Sequence, residues 1–486
     1  MTSFWIMTLA LTAFAGDDPP AQAARPAPLD VVAALETALS DAIEKTEASV
    51  VAIARDRREN PDETTAIKGR NPLPIRLDAR FRSGQDAFLP VVDDFISLDT
   101  GSGIVVGDHG EILTTFHVVK GANRLVVRAI GAKQGFDAEI LAADPRSDLA
   151  VIVPREIPGV PPPALKPIRL GDSSKLRKGS FLIALGNPFN AARDGRPSAS
   201  WGILSNVSRR IEPSIDERMT RQRQLRHFPT LLQLDAKLNQ GMSGGAVVNL
   251  KGELVGVTTD GGGTEGFDAA AGYAIPMNAL ARRVVKTLKQ GKEFEYGMLG
   301  IGLDVVNGTS RVDNVQPNTP AAMGGVLADD LITQVGDTPV TDADNLVLAV
   351  NALPAGTVVK LKIERAGRPV ECTVELAKYF TDPASPPIVT NVPPAWRGLR
   401  IDYLSTLPNA GFGFERLNVM ARGGVAVIDV EPGTPADKAG LKRGQVISRI
   451  DDKPIHNPRE FREALAKITG TVKLGTDAGD VTIQPK

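Results

Sequence analysis

The chain has 486 residues, of which 42% are apolar and 23% are charged, and its formal net charge is −1. This length suits about three domains of ordinary size. The near-neutral charge and the lack of a glycine-rich phosphate loop exclude nucleic acid and nucleotides as expected partners.

The first 23 residues have the pattern of a secretory signal peptide. Residues 4–15 form an apolar run too short to span a membrane, and residues 13–15 or 21–23 offer a small-x-small cleavage site. Because residues 1–3 contain no basic side chain, an uncleaved membrane anchor and a misassigned start remain open alternatives. We expect export.

A helix beginning at Asp30 is predicted next, because Val32, Leu35 and Leu39 follow helical spacing. It leads into a strand at 49–53. A charged insertion containing proline then occupies residues 56–99.

The following segment predicts a β-hairpin that carries His117. An apolar strand at 104–106 is followed by a turn at 107–110 and a second apolar run at 111–119. His117 is therefore expected near the end of a strand in a β-rich domain.

A carboxylate opens the next strand. Asp148 directly precedes the apolar run 149–153 and follows a turn at 144–147. Asp144 in that turn precedes a proline, and we interpret it as a residue that shapes the turn. Asp148 is therefore the candidate partner of His117.

Ser243 lies in the run Gly-Met-Ser-Gly-Gly at 241–245. The order His, Asp, Ser is that of the chymotrypsin-type triad, in which histidine carries the serine proton and aspartate holds the imidazole. The flanking glycines let the amides of Gly241 and Ser243 converge, as an oxyanion hole requires. Each motif alone is weak, but together they predict a serine protease.

Six stretches resemble the HtrA/Deg family of trypsin-fold serine proteases, within a match that spans most of residues 46–290: 101–105, 116–119, 144–150, 171–173, 184–189 and 272–276. The resemblance implies a mainly β fold with two β-barrels and the site in the cleft between them. It also implies an ATP-independent endopeptidase of unfolded or misfolded proteins that needs no cofactor. A periplasmic or other extracytoplasmic location and a homotrimer, or a multiple of it, are further implications.

The insertion at 56–99 has two open interpretations. In proteins similar to this family, the loop after the first strand covers or regulates the active site, and aromatic residues near the N-terminus mediate trimer contacts. The insertion holds Phe81, Phe88 and Phe95. A surface loop without regular structure explains these residues equally well.

The C-terminal part contains a tandem repeat. Residues 315–321 match 430–436 and residues 337–340 match 452–455, both at an offset of 115 residues. Both copies resemble PDZ domains, which bind an extended peptide at a sheet edge and capture its terminal carboxylate with backbone amides.

The two copies differ in their candidate carboxylate loops. The second copy has Arg397 where an apolar residue is usual, and about 17 extra residues around 404–422, so its peptide binding is less secure. The candidate peptide-binding residues are Leu299, Gly300 and Ile301 in the first copy and Gly398 and Leu399 in the second.

A single cysteine, Cys372, excludes an intramolecular disulfide and a cysteine-based metal site. Its alternation with Val370 and Val374 predicts a buried thiol. The remaining histidines are scattered, so no metal site is expected.

The predicted domain order is a signal peptide (1–23), a trypsin-like protease domain (30–290), a first PDZ domain (294–380), a proline-rich linker (381–395) and a second PDZ domain (396–486). The linker is expected to act as a semi-rigid spacer.

Departures from the family pattern leave an alternative function open. The family usually has Asn where Phe116 and Met242 stand, so the hydrogen bonds of those side chains should be absent and activity lower or conditionally switched. A catalytically silent chaperone or PDZ scaffold on a protease fold is the alternative. Lys237, six residues before Ser243, has the spacing of a specificity-pocket residue, but we prefer a pocket formed by neighbours such as Leu238, with Lys237 facing solvent.

Overall fold

The computed structural model describes the following residues: 28–57, 66–69, 100–132, 135–161, 163–188, 194–209, 230–259, 272–303, 307–316, 319–379, 381, 385–407, 423–466 and 468–485. The predicted signal peptide lies outside them. So do most of the insertion at 56–99, with its three phenylalanines, and residues 408–422 of the second PDZ domain.

The first element is helix α1 (Pro28–Glu47), which begins two residues before the predicted start at Asp30. Near its end the Thr46 hydroxyl is buried and donates to the Ala42 carbonyl at 2.7 Å. Among the described residues, none of the helices combines the length and the apolar character needed to cross a membrane.

The next six strands close into a barrel, because each pairs with two neighbours in the order β1-β2-β3-β6-β5-β4 and back to β1. Alternate apolar side chains fill the interior. A short helix, α2 (Phe116–Val119), interrupts the chain after the third strand. The strands are β1 (Val50–Arg57), β2 (Thr100–Val105), β3 (Ile112–Thr115), β4 (Ala122–Arg128), β5 (Phe136–Asp144) and β6 (Leu149–Pro154).

A second closed barrel follows, in the order β8-β9-β10-β13-β12-β11 and back to β8, with β7 added in parallel to β12. Helix α3 (Ala279–Leu288) then packs Val284 and Leu288 into a core that draws side chains from both barrels, such as Leu113 and Leu185. The prediction of a mainly β double barrel is confirmed. The strands are β7 (Arg169–Leu170), β8 (Phe181–Gly186), β9 (Ser198–Arg209), β10 (Leu231–Leu234), β11 (Ala246–Asn249), β12 (Glu253–Thr259) and β13 (Gly272–Pro276).

The first PDZ domain is built around the sheet β18-β17-β19-β20, with two smaller strand pairs. Cys372 is buried in its core, as predicted. Its helices are α4 (Pro320–Met323) and α5 (Ala343–Asn351). Its strands are β14 (Gly297–Met298), β15 (Ile301–Leu303), β16 (Val312–Val315), β17 (Leu331–Val335), β18 (Thr338–Pro339), β19 (Val358–Arg365), β20 (Arg368–Glu375) and β21 (Ala377–Lys378).

The predicted linker is packed against the protease domain. Its strand β22 (Ile388–Val389) pairs antiparallel with β5, with Ile388 opposite Ala143. The Thr390 hydroxyl donates to the Leu141 carbonyl at 2.7 Å, and the Asn391 N–H donates to the Gly291 carbonyl at 2.9 Å. The segment is thus a strand of the first barrel sheet, whereas its proline content had predicted a spacer between the PDZ domains.

The second PDZ domain repeats the first, with its main sheet in the order β23-β24-β25-β27-β28 and β26 paired to β25. Its core is separate and contains Phe461 and Leu474. Its helices are α6 (Pro435–Lys438) and α7 (Pro458–Leu465). Its strands are β23 (Leu399–Tyr403), β24 (Val425–Val430), β25 (Val446–Ile450), β26 (Lys453–Pro454), β27 (Val472–Thr476) and β28 (Gly479–Ile483).

Candidate active site

His117 and Asp148 are joined through both side chain and backbone. His117 is the second residue of α2, so it stands just beyond the strand predicted to contain it. Its Nδ1 lies 2.8 Å from Asp148 Oδ2, and its backbone N–H donates to Asp148 Oδ1 at 3.0 Å. The Phe116 N–H donates to the Asp148 carbonyl at 2.9 Å. Since Nδ1 faces the carboxylate, Nε2 is the nitrogen that can accept a proton.

Asp148 is held more tightly than its partner. Its side chain is 10% exposed, against 38% for His117. The Thr259 hydroxyl donates to Oδ2 at 3.1 Å. Its backbone has φ 56°, in the left-handed region, which persists only where the surroundings enforce it. The carboxylate of Asp148 is therefore buried, whereas the imidazole that it contacts is partly exposed to solvent.

Asp144 shapes the turn before Asp148 as the proline had indicated. Its carboxylate accepts the backbone N–H groups of Arg146 and Ser147, each at 3.3 Å. Asp144 is also fully buried and accepts the Tyr296 hydroxyl at 2.5 Å, which no pattern near Asp144 had predicted.

Ser243 lies in the turn between β10 and β11, where it is half-buried. The turn presses against the first barrel at Gly244, which has φ 83°. A Cβ there would stand 2.2 Å from the Ser102 carbonyl oxygen and 2.3 Å from Thr114 Oγ1, so only glycine fits. This close approach brings Ser243 against the hairpin β2–β3, whose second strand leads to His117.

Ser102 fixes the backbone on both sides of the nucleophile. Its N–H donates to the Ser243 carbonyl at 2.8 Å, and its hydroxyl donates to the Gly241 carbonyl at 2.8 Å. The same hydroxyl accepts the Asn187 N–H at 2.8 Å. Sequence reasoning missed this role, although the run Gly-Ser-Gly at 101–103 marks a place where backbones approach closely.

The two candidate pocket residues face different surroundings. Lys237 is exposed, and its carbonyl accepts the Ser200 hydroxyl at 2.9 Å. Leu238 is half-buried, and its Cδ1 lies 2.7 Å from the point where a Cβ on Gly272 would stand. Leu238 rather than Lys237 therefore contacts the strand beside the serine turn.

The candidate carboxylate loop of the first PDZ domain is open at one edge. Leu299 is buried and Gly300 has φ 80°. Strand β15, which begins at Ile301, pairs with β16 alone among the described strands. Its other edge can accept a peptide strand.

The corresponding loop of the second PDZ domain is closed on itself. The Leu399 N–H donates to the Trp396 carbonyl at 2.8 Å, and the Trp396 N–H donates back at 3.0 Å. Gly398 keeps the left-handed conformation, with φ 86°. Arg397 is buried and donates to the carbonyls of the 468–470 segment, at 2.6 Å to Gly470.

Comparisons with known proteins identify the family. The chain matches the model of a trypsin-like peptidase domain over residues 101–257 and that of a PDZ domain over 297–376 and 410–475. The periplasmic serine endoprotease DegP of Escherichia coli (strain K12) is 30% identical over 396 residues, which cover 79% of this chain and 75% of DegP. The chain belongs to the HtrA/Deg family of serine endoproteases.

A second curated relative agrees with this placement. The periplasmic pH-dependent serine endoprotease DegQ of the same organism is 30% identical over 401 residues, covering 79% of each chain. A solved structure of the HtrA-type protease AlgW with a decapeptide is 24% identical, covers 70% of this chain and 98% of that chain, and has a TM-score of 0.47.

Two residues depart from the usual HtrA/Deg pattern, and the structure gives each a role in packing. Phe116 is buried in the core of the first barrel. Met242 is 3% exposed, and its sulfur accepts the Asn239 N–H at 3.4 Å. A thioether is a weak acceptor and cannot donate, so this contact does not replace the bonds of an asparagine amide, and the expectation of lower or switched activity stays a prediction.

Within the part of the chain that the structure describes, no group of three or more His, Cys, Asp or Glu side chains could hold a metal ion.

Proposed function

We propose that His117, Asp148 and Ser243 form the catalytic triad of this HtrA/Deg-family endoprotease. Ser243 attacks the scissile carbonyl, while His117 takes its proton and later gives it to the leaving amine. Asp148 holds the imidazole tautomer. The observation that carries the proposal is the 2.8 Å contact of His117 Nδ1 with Asp148 Oδ2, reinforced by the backbone bond to Oδ1.

The amides of Gly241 and Ser243 form the oxyanion hole in this proposal. Support for the Ser243 amide comes from the carbonyl of the same peptide unit, at Met242, which accepts the Gly245 N–H at 2.9 Å and the Thr258 hydroxyl at 2.5 Å. A fixed peptide orientation suits a site that must stabilise charge without reorganising. Leu238 lines the primary specificity pocket, and Lys237 remains in solvent.

The proposed substrates are unfolded or misfolded proteins, cleaved without ATP. The first PDZ domain docks C-terminal peptides through Leu299, Gly300 and Ile301, since β15 has an unpaired edge among the described residues. Gly398 and Leu399 occupy the equivalent positions in the second PDZ domain. We propose a weaker peptide interaction there, because the Leu399 N–H is already bonded.

The domain limits predicted from the sequence belong to the same proposal: a signal peptide (1–23), a protease domain (30–290) and PDZ domains at 294–380 and 396–486. The segment at 381–395 links the two PDZ domains. The similarity to the periplasmic proteins DegP and DegQ supports a periplasmic or other extracytoplasmic location for the mature chain. Assembly as a homotrimer, or a multiple of it, is also proposed.

The test is hydrolysis of an unfolded protein by residues 24–486, compared with the Ser243→Ala variant. Loss of the nucleophile should lower the rate by about a millionfold. A fluorophosphonate that labels serine hydrolases should modify the parent protein and leave the variant unlabelled.

A matched control is Ser174→Ala, which alters an exposed serine that bonds only within its own turn. It should keep full turnover and labelling. Equal cleavage by parent and Ser243→Ala would contradict the assignment. Negligible turnover in both, with peptide still bound, would favour the PDZ scaffold instead.

A further inference from the structure

A row of charged side chains, three of them buried and two half-buried, joins the loop before Asp148 to the second PDZ domain. We call it the buried charge chain. Its members come from the first barrel, the segment after α3, the last strand of the first PDZ domain and the first strand of the second, in that order: Asp144, Arg146, Glu293, Lys378 and Asp402.

The buried charge chain begins at Asp144, close to the proposed triad aspartate, Asp148. Asp144 is fully buried, and its carboxylate accepts Arg146 Nε at 2.8 Å and the Tyr296 hydroxyl at 2.5 Å. The Arg146 guanidinium also lies over the Tyr296 ring, 4.7 Å from its centroid. Both partners thus clamp a turn that ends at Asp148, four residues after Asp144.

Its middle links separate domains. Arg146 is 6% exposed and donates to Glu293 Oε1 at 3.1 Å and to the Phe294 carbonyl at 2.8 Å. The other oxygen of Glu293 accepts Lys378 Nζ at 2.9 Å. Glu293 therefore bridges a cation of the barrel and a cation of the first PDZ domain.

Its far end lies in the second PDZ domain. Lys378 is 1% exposed and donates to Asp402 Oδ2 at 2.6 Å. Glu295 lies 3.8 Å from the same ammonium group. Burial alone would lower the pKa of Lys378, but Glu293 and Asp402 outweigh it and raise that pKa, so the lysine stays charged.

Each ion pair in the buried charge chain needs both of its partners. Removing one partner of a buried ion pair leaves an uncompensated charge, so its neighbours must move or take up water. The turn after Asp144 has little freedom to absorb that movement, because it must deliver Asp148 in a left-handed conformation.

We propose that the buried charge chain positions Asp148, so that alignment of the triad depends on the seating of the second PDZ domain. This inference rests on the proposed role of Asp148. Arg146 and Tyr296 are then positioning residues, since they act on the turn and not on the substrate. The second PDZ domain, whose carboxylate loop is closed, acts on catalysis through Asp402.

The test uses two near-isosteric variants of the full mature chain, Tyr296→Phe and Asp402→Asn. The first removes the hydroxyl that donates to Asp144, and the second removes the charge that Lys378 meets. Neither residue belongs to the proposed triad. Glu371→Gln is the matched control, because Glu371 is exposed on strand β20 of the first PDZ domain and is not a member of the buried charge chain.

We expect kcat to fall about tenfold in Tyr296→Phe and about threefold in Asp402→Asn with KM unchanged, as for a misaligned catalytic group. The rate of Ser243 labelling by a small fluorophosphonate, which needs no PDZ docking, should fall by the same factors. The control should match the parent protein. In the double variant the losses should be less than multiplicative, because both act on one turn.

Folded variants, checked by circular dichroism, that label at the parental rate would overturn the inference. Losses that multiply in the double variant would overturn the link between the second PDZ domain and Asp148. Failure of the proposed function looks different, because labelling would then persist in Ser243→Ala, which would remove the basis of both.

Discussion

The two PDZ domains share a fold and a repeat, yet their candidate carboxylate loops make different hydrogen bonds. Gly300 and Gly398 have nearly the same φ, 80° and 86°, and each packs against a threonine. The residue before each glycine differs: Leu299 is buried among apolar side chains, whereas Arg397 reaches the carbonyls at 468–470.

Both loops therefore keep the same left-handed backbone turn, although the hydrogen bonds around that turn differ. A left-handed glycine is needed wherever the chain makes this turn. The amides, by contrast, can bind a peptide terminus only if nothing else engages them. In the second domain, the Leu399 N–H bonds to Trp396 and a guanidinium ties the loop to the C-terminal strands.

Arg397→Leu removes the main difference between the two loops, because it places an apolar side chain in the second loop as in the first. It should have the largest effect on domain stability of the variants considered. The buried Ile483 carbonyl and the more exposed carbonyls at 468–470 lose a charged donor, which should cost the second PDZ domain about 3 kcal/mol of unfolding free energy. Native-state hydrogen exchange of β27 and β28 in the full chain measures this.

The control is Arg459→Leu, an exposed residue of the same domain. It should change exchange little, because surface substitutions are usually neutral. Unchanged exchange in Arg397→Leu would mean that the guanidinium does not hold the loop.

A smaller effect, equal in the two domains, is expected from Gly300→Ala and Gly398→Ala. The added Cβ would meet Thr319 at 2.3 Å or Thr434 at 2.0 Å, on top of the left-handed backbone. Each should lose about 2 kcal/mol of domain stability, read from the same exchange experiment.

Gly308→Ala and Gly433→Ala separate the two causes. Both glycines have positive φ but open space where a Cβ would stand. They should lose only the backbone part, about 1 kcal/mol. Equal losses at all four positions would show that the threonine contacts do not matter.

Peptide binding should sharpen the comparison further. A peptide with a free C-terminal carboxylate should bind the Ser243→Ala protein once per chain, in the first domain. Its C-terminal amide should bind about tenfold more weakly, equivalent to about 1.4 kcal/mol. Calorimetry gives both values, and two equal sites per chain would contradict the closed second loop.

Acid should affect the first domain more than the second. Leu327 N–H donates to the buried Asp330, and Lys442 N–H donates to Gln445 in the matching turn. Burial disfavours the Asp330 carboxylate, but hydrogen bonds from Arg365 and Leu327 outweigh it and lower its pKa below 3.8.

Because the pKa is lower in the folded state, this group stabilises the first domain above the unfolded pKa, and the stabilisation is lost as pH falls through the folded value. The protection factors of the β17 amides, which correct for the slower intrinsic exchange in acid, should therefore fall as the pH falls, and Asp330→Asn should flatten that fall. A neutral Gln445 gives β25 no such dependence from this position, so equal acid sensitivity of the two turns would contradict the assignment.

Much of the fold and site could be predicted because the evidence is local in the sequence. The glycines around Ser243 and the apolar strand after Asp148 each mark their own conformation, and the repeat at one offset marks the PDZ pair. The alternation of Cys372 with Val370 and Val374 likewise predicted a buried thiol. The order His117, Asp148, Ser243 in the chain then predicted that these residues belong to one site.

The rest depends on contacts between distant segments. Nothing near Ser102 indicates that its hydroxyl will reach the Gly241 carbonyl, 139 residues away. The contact of the Asn239 N–H with the Met242 sulfur is likewise not indicated by either residue type. Tyr296 and Asp144 are 152 residues apart, and each looks ordinary in its own segment.

The docked strand β22 matters for anyone who wants the protease without its PDZ domains. The repeat suggests ending such a truncation near residue 290 or 380, but either cut discards Ile388 and Val389 from the edge of β5, together with the Thr390 bond to Leu141. The shortened enzyme would expose a strand edge next to the turn that carries Asp148, and exposed edges recruit other chains. Slow activity or aggregation of such a fragment would then report a missing barrel strand and not the absence of a regulatory domain.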